Sequence, residues 1–336
     1  MRLLVIGGTV FLGRHVVQVA LERGHEVVMF NRGRHGAELF PGVERITGDR
    51  TTDLGKLAGR SFDAVVDTCG YVPRVVRQSA EALRDSAGHY TFVSSVSVYS
   101  DLAARGVAED APVGRLEDET VEEVTGPTYG PLKALCEDVT REVFGERALV
   151  VRPGLIVGPH DPSDRFTYWP ERAWRGGEVL APDRPERGAQ MIDVRDLAEW
   201  MVSASERKLA GTYNAVRPGG SLDFGTMLDT CIAVAREAGA PESSVTMVDD
   251  AFLLEQGVGP WMELPLWIPL SDPMSEGMNH VSPERAVREG MTFRPFRETA
   301  EATLQWAITL PQDRQRRAGL GAEKERQVLD AWKARA

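Results

Sequence analysis

Tyr129 and Lys133 stand four residues apart in TYGPLKALCEDVTREVF (128–144), a stretch whose Leu132, Leu135, Cys136, Val139 and Val143 recur on one stripe of a helix. On such a helix the two side chains share a face. A phenol titrates near 10 and is a poor proton donor or acceptor at neutral pH. An ammonium roughly 4 Å away, at an effective dielectric near 20, would stabilise the phenolate by about 4 kcal/mol, or about three pKa units before desolvation opposes it. The pair is then expected to exchange a proton with a substrate oxygen. With 6 tyrosines and 5 lysines in 336 residues, chance yields about 0.09 such pairs. Ser95, in FVSSVSVYS (92–100), is the expected third member, donating a hydrogen bond to the same oxygen. Its neighbours Ser94 and Ser97 are alternatives that read more naturally as structural hydroxyls at a strand end.

These groups need a partner for the electrons, and the first residues supply a place for one. Residues 3–6 are apolar and bounded by Gly7-Gly8, which reads as a strand buried on both faces. Residues 12–23 carry helical apolar spacing and end at Gly24, and residues 25–30 read as a second strand. Strand, glycine turn, helix and strand make a βαβ unit whose turn offers free backbone N–H groups to a pyrophosphate. Gly7 permits the turn and Gly13 permits close helix packing, but Val10 stands where the dinucleotide fingerprint has its middle glycine. After the second strand come Asn31, Arg32 and Arg34 rather than an acid. An acid would accept from a ribose 2′-hydroxyl, whereas arginine offers a fork to a 2′-phosphate. The expected cofactor is therefore NADP(H), with NAD(H) the alternative, Arg32 on the phosphate, Asn31 bridging to ribose and Asp49 accepting from the adenine amino group. Further strands are expected at 43–46, 64–67 and 90–94.

The composition is that of an ordinary globular chain, 42% hydrophobic and 26% charged, in 336 residues. A net charge of −11 argues against a nucleic-acid surface. Cys69, Cys136 and Cys231 are odd in number and widely spaced, so neither a disulfide framework nor a metal site is expected, and a reducing cytoplasm is favoured. No segment reaches membrane-spanning length. Thirty-four arginines against five lysines suggest GC-rich coding and a bacterial source with secondary metabolism.

Taken in order, the glycine turn, SSVSVYS, Tyr-x-x-x-Lys, RPGLIVGP (152–159) and IDVRDLA (192–198) resemble the extended short-chain dehydrogenase/reductase family of epimerases, dehydratases and ketoreductases. The likeness runs from residue 1 to about 215. The opening GGTVFLG is similar to a subgroup of chloroplast stem-loop-binding proteins and bacterial "isoflavone reductase-like" proteins. The resemblance implies an α/β Rossmann fold, a doubly wound parallel sheet with a smaller C-terminal substrate lobe. The expected division gives 1–157, with about 188–208, to the cofactor domain, 158–187 and 209–310 to the lobe, and 311–336 to a helical tail. It also implies hydride transfer at a nicotinamide, with Ser95 positioning the substrate oxygen, Tyr129 as acid–base and Lys133 binding the nicotinamide ribose as well. The cofactor site would draw on Gly7, Gly8, Thr9, Phe11, Leu12, Gly13, Asn31, Arg32, Asp49, Arg50, Cys69, Ser94 and Pro153.

Family dehydratases carry an Asp-Glu pair after the catalytic Ser or Thr, where this chain has Val96 and Ser97. Epimerases usually carry the acid that is missing after the second strand. Reduction of a small-molecule carbonyl is therefore the expected activity, sugar-nucleotide epimerisation the alternative, and a non-catalytic dinucleotide-sensing or RNA-binding role the alternative from another class. Substrate contacts are expected from His160, Arg165, Tyr168, Trp169 and Arg172 in the segment after Gly158, and from Trp261 in the proline-broken segment 257–280, which also carries Trp267 and Met278 and reads as a lid or dimer contact. The tail, with Leu320, Val328, Leu329 and Trp332, reads as a helix docked on the surface or on a second subunit; the chain is expected to be a monomer or homodimer.

Overall fold

The computed structural model describes residues 1–311 and 313–335; Gln312 and Ala336, within the expected tail, lie outside the described residues. β1 (Arg2–Ile6) is apolar from Leu3 onward because both its faces are covered there. Leu3 and Val5 enter one core with Val16, Val17 and Ala20 of α1 (Leu12–Glu22), while Leu4 and Ile6 enter another on the opposite side of the sheet. β2 (Glu26–Asn31), β3 (Glu44–Thr47) and β4 (Ala64–Asp67) follow in parallel register. α2 (Pro73–Leu83), β5 (Tyr90–Val93), α3 (Gly126–Phe144) and β6 (Ala148–Pro153) continue the winding. α2 and α3 close the second core with Val76, Ala80, Leu83, Cys136 and Val139.

Then come β7 (Leu155–Val157), α4 (Tyr168–Trp174), β8 (Gly177–Pro182), β9 (Met191–Asp193), α5 (Val194–Glu206) and β10 (Gly211–Ala215). The main sheet is seven-stranded and parallel, ordered β10-β6-β5-β4-β1-β2-β3. Chain direction reverses its winding between β1 and β4, the place where ligands of doubly wound sheets lie. Residues 211–215, expected in the lobe, are thus an edge strand of this sheet, paired with β6.

The remaining elements are α6 (Phe224–Glu237), β11 (Ser243–Val248), α7 (Asp250–Glu255), β12 (Pro260–Trp261), β13 (Leu264–Pro265), α8 (Glu284–Arg288), α9 (Phe296–Ala307) and α10 (Ala322–Lys333). Most of them surround a further core built on Tyr168, Trp169, Phe224 and Trp267. The tail folds onto this same core: Leu320, Val328 and Leu329 are buried in it, and Glu325 forms a buried ion pair with Arg172 at 2.7 Å.

Candidate active site

The turn after β1 has the backbone a phosphate cradle needs. Gly7 and Gly8 take φ of 112° and 90°, values that L side chains rarely adopt. A Cβ on Gly13 would sit 2.6 Å from the Gly8 nitrogen, so the helix can approach the turn only with glycine there. Val10 does not need a glycine's backbone, because the positive φ values of the turn fall on Gly7 and Gly8, and it is an exposed residue on the cleft lining. No side chain caps α1, which leaves its first N–H groups free at the positive end of the helix.

From this turn a cleft of about 650 Å³ runs along the carboxyl ends of β1, β4 and β5 to β6. Gly7, Gly8, Thr9, Phe11, Leu12, Gly13, Arg32, Cys69, Ser94 and Pro153 line it as expected, with Ser95, Tyr129 and Lys133 further along. The glycine cradle, the length of the cleft and the exposed Arg32 beside it fit a dinucleotide.

Several expected contacts are turned to other work. The Asn31 side chain donates to the Gly7 carbonyl at 2.9 Å and accepts from Gly33 N–H at 2.9 Å, so it shapes the turn rather than reaching a ribose. Arg50 is not on the cleft lining and grips Asp67 at 2.9 and 2.6 Å, with Ser79 as a further acceptor. Although burial opposes ionisation, this guanidinium holds the Asp67 carboxyl below its ordinary range. Asp49 is outside the cleft lining and accepts from both N–H and hydroxyl of Thr51. Ser94 spends its hydroxyl on Glu137 at 2.6 Å, inside a buried cluster with Arg152.

α3 begins at Gly126, earlier than its apolar stripe indicates, because Thr125 and Thr128 form a capping box. Tyr129 therefore sits in the first turns. Gly130 sets its position: a Cβ there would be 2.0 Å from the Ser97 carbonyl oxygen, so α3 lies directly against the Ser95–Ser97 segment. Tyr129 and Ser95 consequently line one stretch of the cleft, where the Ser95 hydroxyl donates to Ser97 Oγ and accepts from Ser97 N–H, each at 3.1 Å.

The electrostatics differ from expectation. Lys133 is buried and donates to the Gly70 and Val93 carbonyls at 2.6 and 2.5 Å, with its ammonium 4.2 Å from the Phe92 ring centre. Burial draws it down to about 8. Burial raises the Tyr129 phenol, opposed by the neighbouring Ser95 hydroxyl and by the charge of Arg165; Lys133 is not among the groups that shift it. The expected lowering of the phenol by Lys133 is thus absent, since the ammonium is anchored under the strand ends. Tyr129 holds its proton at neutral pH.

Of the expected substrate contacts, Arg165 and Trp261 line the cleft. Tyr168 and Trp169 do not: they are 1% and 0% exposed, in the lobe core. Arg172 is buried against Glu325. His160 faces away, accepting from Arg14 at 3.5 Å and packing on Trp306 at 5.2 Å between ring centres. In 257–280, Trp267 is fully buried and donates to Asp250, whereas Met278 reaches the cleft. The sequence reading missed Thr68, Tyr71, Asp161, Ser163, Gln190 and Asn279 as cleft residues. Thr68 and Tyr71 were within reach, since they follow β4, the strand across the switch point from β2. Gln190 and Asn279 join the site only through the tertiary fold and carried no local signal.

Among the described residues no helix is long and apolar enough to cross a membrane. Residues 3–215 match the model of the NAD dependent epimerase/dehydratase family. A chloroplast stem-loop binding protein of 41 kDa from Arabidopsis thaliana is 26% identical over 59% of this chain, which spans about half that relative's length (53%). UDP-glucose 4-epimerase of Neisseria meningitidis is 26% identical, covering 63% of this chain and 75% of its own. A 2-alkyl-3-oxoalkanoate reductase of Stenotrophomonas maltophilia is 27% identical over 57% of this chain and 61% of its own. Among solved structures, UDP-N-acetylglucosamine 4-epimerase from Bacillus cereus superposes with TM-score 0.67 at 15% identity, over 94% of this chain and 99% of that one, and Bordetella bronchiseptica WbmH bound to NAD+ with 0.65 at 17%, over 91% and 97%. This parallel sheet, with its glycine cradle and its serine, tyrosine and lysine along one cleft, belongs to the NAD dependent epimerase/dehydratase family, whose enzymes work with nicotinamide dinucleotides.

Proposed function

We propose that this protein is an NADPH-dependent reductase of a small-molecule carbonyl, with Tyr129 as the proton donor. The observation that carries the reading is the placement of Ser95, Tyr129 and Lys133 at the far end of a cleft whose near end is the glycine cradle. A bound dinucleotide would supply hydride to the carbonyl carbon. Ser95 would hold the carbonyl oxygen by a hydrogen bond, and Tyr129 would pass its proton to that oxygen as negative charge develops there. A phenol raised by burial is stocked with the proton that reduction consumes; oxidation would need it deprotonated. Lys133, anchored on two carbonyls, has one N–H left for a ribose hydroxyl in the cleft. Arg32, exposed beside the cradle with no acid at the end of β2, supports the 2′-phosphate.

Elimination chemistry lacks support, because Asp161 is the sole carboxylate among the described cleft residues and it is bound to Ser163 at 2.8 and 2.9 Å. The UDP-glucose 4-epimerase relative favours epimerisation as the second reading. Fluorescence titration and a carbonyl panel followed at 340 nm separate them. A reductase consumes NADPH with substrate, and Arg32→Glu weakens NADPH by about 10- to 100-fold, the strength of a charged hydrogen-bonded pair, while sparing NADH. Tighter NADH binding by the wild type, or isomerisation of UDP-glucose with no net cofactor consumption, would overturn the reading.

A further inference from the structure

Among the described cleft residues, Arg165 is the one arginine near the reacting end that meets no carboxylate. Its Nε donates to the Ser163 hydroxyl at 3.1 Å, and its guanidinium carbon stands 5.5 Å from the centre of the Trp261 ring. Among the described residues neither of its terminal Nη atoms has a hydrogen-bond partner, and no carboxylate lies within 4 Å. Asp161 is nearby, but its oxygens are held by Ser163 N–H and hydroxyl. The next acid, Asp164, is bound to Arg314 at 2.6 Å and to Arg317 N–H at 2.9 Å. The buried arginines that serve the scaffold are treated otherwise: Arg50, Arg152 and Arg172 each meet a carboxylate at 2.6 to 2.7 Å.

Arg165 is half-buried and its terminal nitrogens open onto the cleft; two free, parallel N–H groups match the two oxygens of a carboxylate. Arg165 and Tyr129 line the same cleft, and the Arg165 charge acts on the phenol. An anion held by Arg165 therefore shares that cleft with the Ser95–Tyr129 pair. We propose that the substrate is an oxo acid: Arg165 grips its carboxylate in bidentate fashion, against the face of Trp261, while the carbonyl a few bonds away is turned to Ser95 and Tyr129. This deepens the carbonyl-reductase reading and rests on it.

The test uses the full-length protein with NADPH. Binding of the 2-, 3- and 4-oxo forms of hexanoate and decanoate, and of their methyl esters, is measured by calorimetry with NADP+ present, and turnover at 340 nm. At least one acid should be preferred over its ester by about 100-fold. Arg165→Gln should bring that acid down to the ester's level, and Arg165→Lys should restore only part of the gap, because a point charge cannot make two parallel bonds. A melting curve of each variant checks the fold. Acids and esters that bind alike, a preference that survives Arg165→Gln, no binding of any acid, or an Arg165-dependent affinity for UDP-glucose instead would each overturn the proposal. Arg165-dependent binding of acids without NADPH consumption would uphold the subsite and remove the reductase reading. Reduction of ketones and esters as readily as acids would do the reverse.

Discussion

Replacing Arg50 by methionine removes the cation that keeps Asp67 ionised inside the sheet. Asp67 is 0% exposed and accepts from Arg50 at 2.9 and 2.6 Å, from the Tyr90 hydroxyl at 2.9 Å and from Cys69 N–H at 3.2 Å. Breaking such a pair leaves a buried carboxylate with two neutral donors, at a cost of about 3–5 kcal/mol. At roughly 2 °C per kcal/mol for a chain of this size, the midpoint of thermal unfolding should fall by about 5–10 °C. Arg50→Met with Asp67→Asn should recover a good part of this, since the amide oxygen can accept from Cys69 N–H while its NH2 donates to the Tyr90 hydroxyl, which turns to accept. The pH dependence has a definite sign. The folded-state value of Asp67 is lowered, so its contribution is present above the unfolded value near 4 and is lost as pH falls through the lower folded value. In Arg50→Met burial is unopposed, so the gap to wild type should narrow as the medium is acidified. The assay is a set of melts from pH 4 to 8, with NADPH titration alongside. A variant that melts with wild type but binds NADPH poorly would refute the reasoning and make Arg50 a ligand.

Lys133, drawn down to about 8 from 10.5, should make cofactor-dependent activity decline as pH rises through 8 and its charge is lost, a limb absent from Lys133→Met. Its stability sign is the reverse: between about 8 and 10.5 the unfolded chain binds the extra proton, so a penalty of about 3 kcal/mol present below 8 is relieved as pH rises, visible in denaturant melts against Lys133→Met. Gly130→Ala should push α3 off the Ser97 carbonyl, which its Cβ would meet at 2.0 Å, and lower turnover at least tenfold with NADPH affinity retained; kinetics and cofactor titration read the two separately. Val10→Gly should leave NADPH affinity within a few fold, since the left-handed positions are Gly7 and Gly8.

The glycine-turn half of the cleft was legible because it is built from short stretches with local rules. Continuous apolar runs such as 3–6 mark strands covered on both faces, and the glycine turn marks where backbone must approach a ligand. What the sequence could not tell apart was a polar group facing the ligand and one facing the scaffold. Asn31, Arg50 and Ser94 all sit at strand ends near the cofactor, yet each is consumed by a partner distant in sequence: Gly7, Asp67 and Glu137. The lobe was harder still. Arg165 and Arg172 lie seven residues apart in sequence and look equivalent, but Glu325, 153 residues from the second, claims it and leaves the first to the cleft. The tyrosine–lysine spacing correctly indicated a shared helix, but it could not show that Lys133 is tethered to Gly70 and Val93.

The central claim is that Tyr129 gives the proton while a dinucleotide in the cleft gives the hydride. Stopped-flow oxidation of NADPH in a single turnover, wild type against Tyr129→Phe, tests it most directly once any carbonyl substrate is in hand. The account predicts a loss of at least about 100-fold in the hydride-transfer rate, the range of a positioned general acid, with the dissociation constant for NADPH within about twofold of wild type. An unchanged transfer rate in Tyr129→Phe would contradict it.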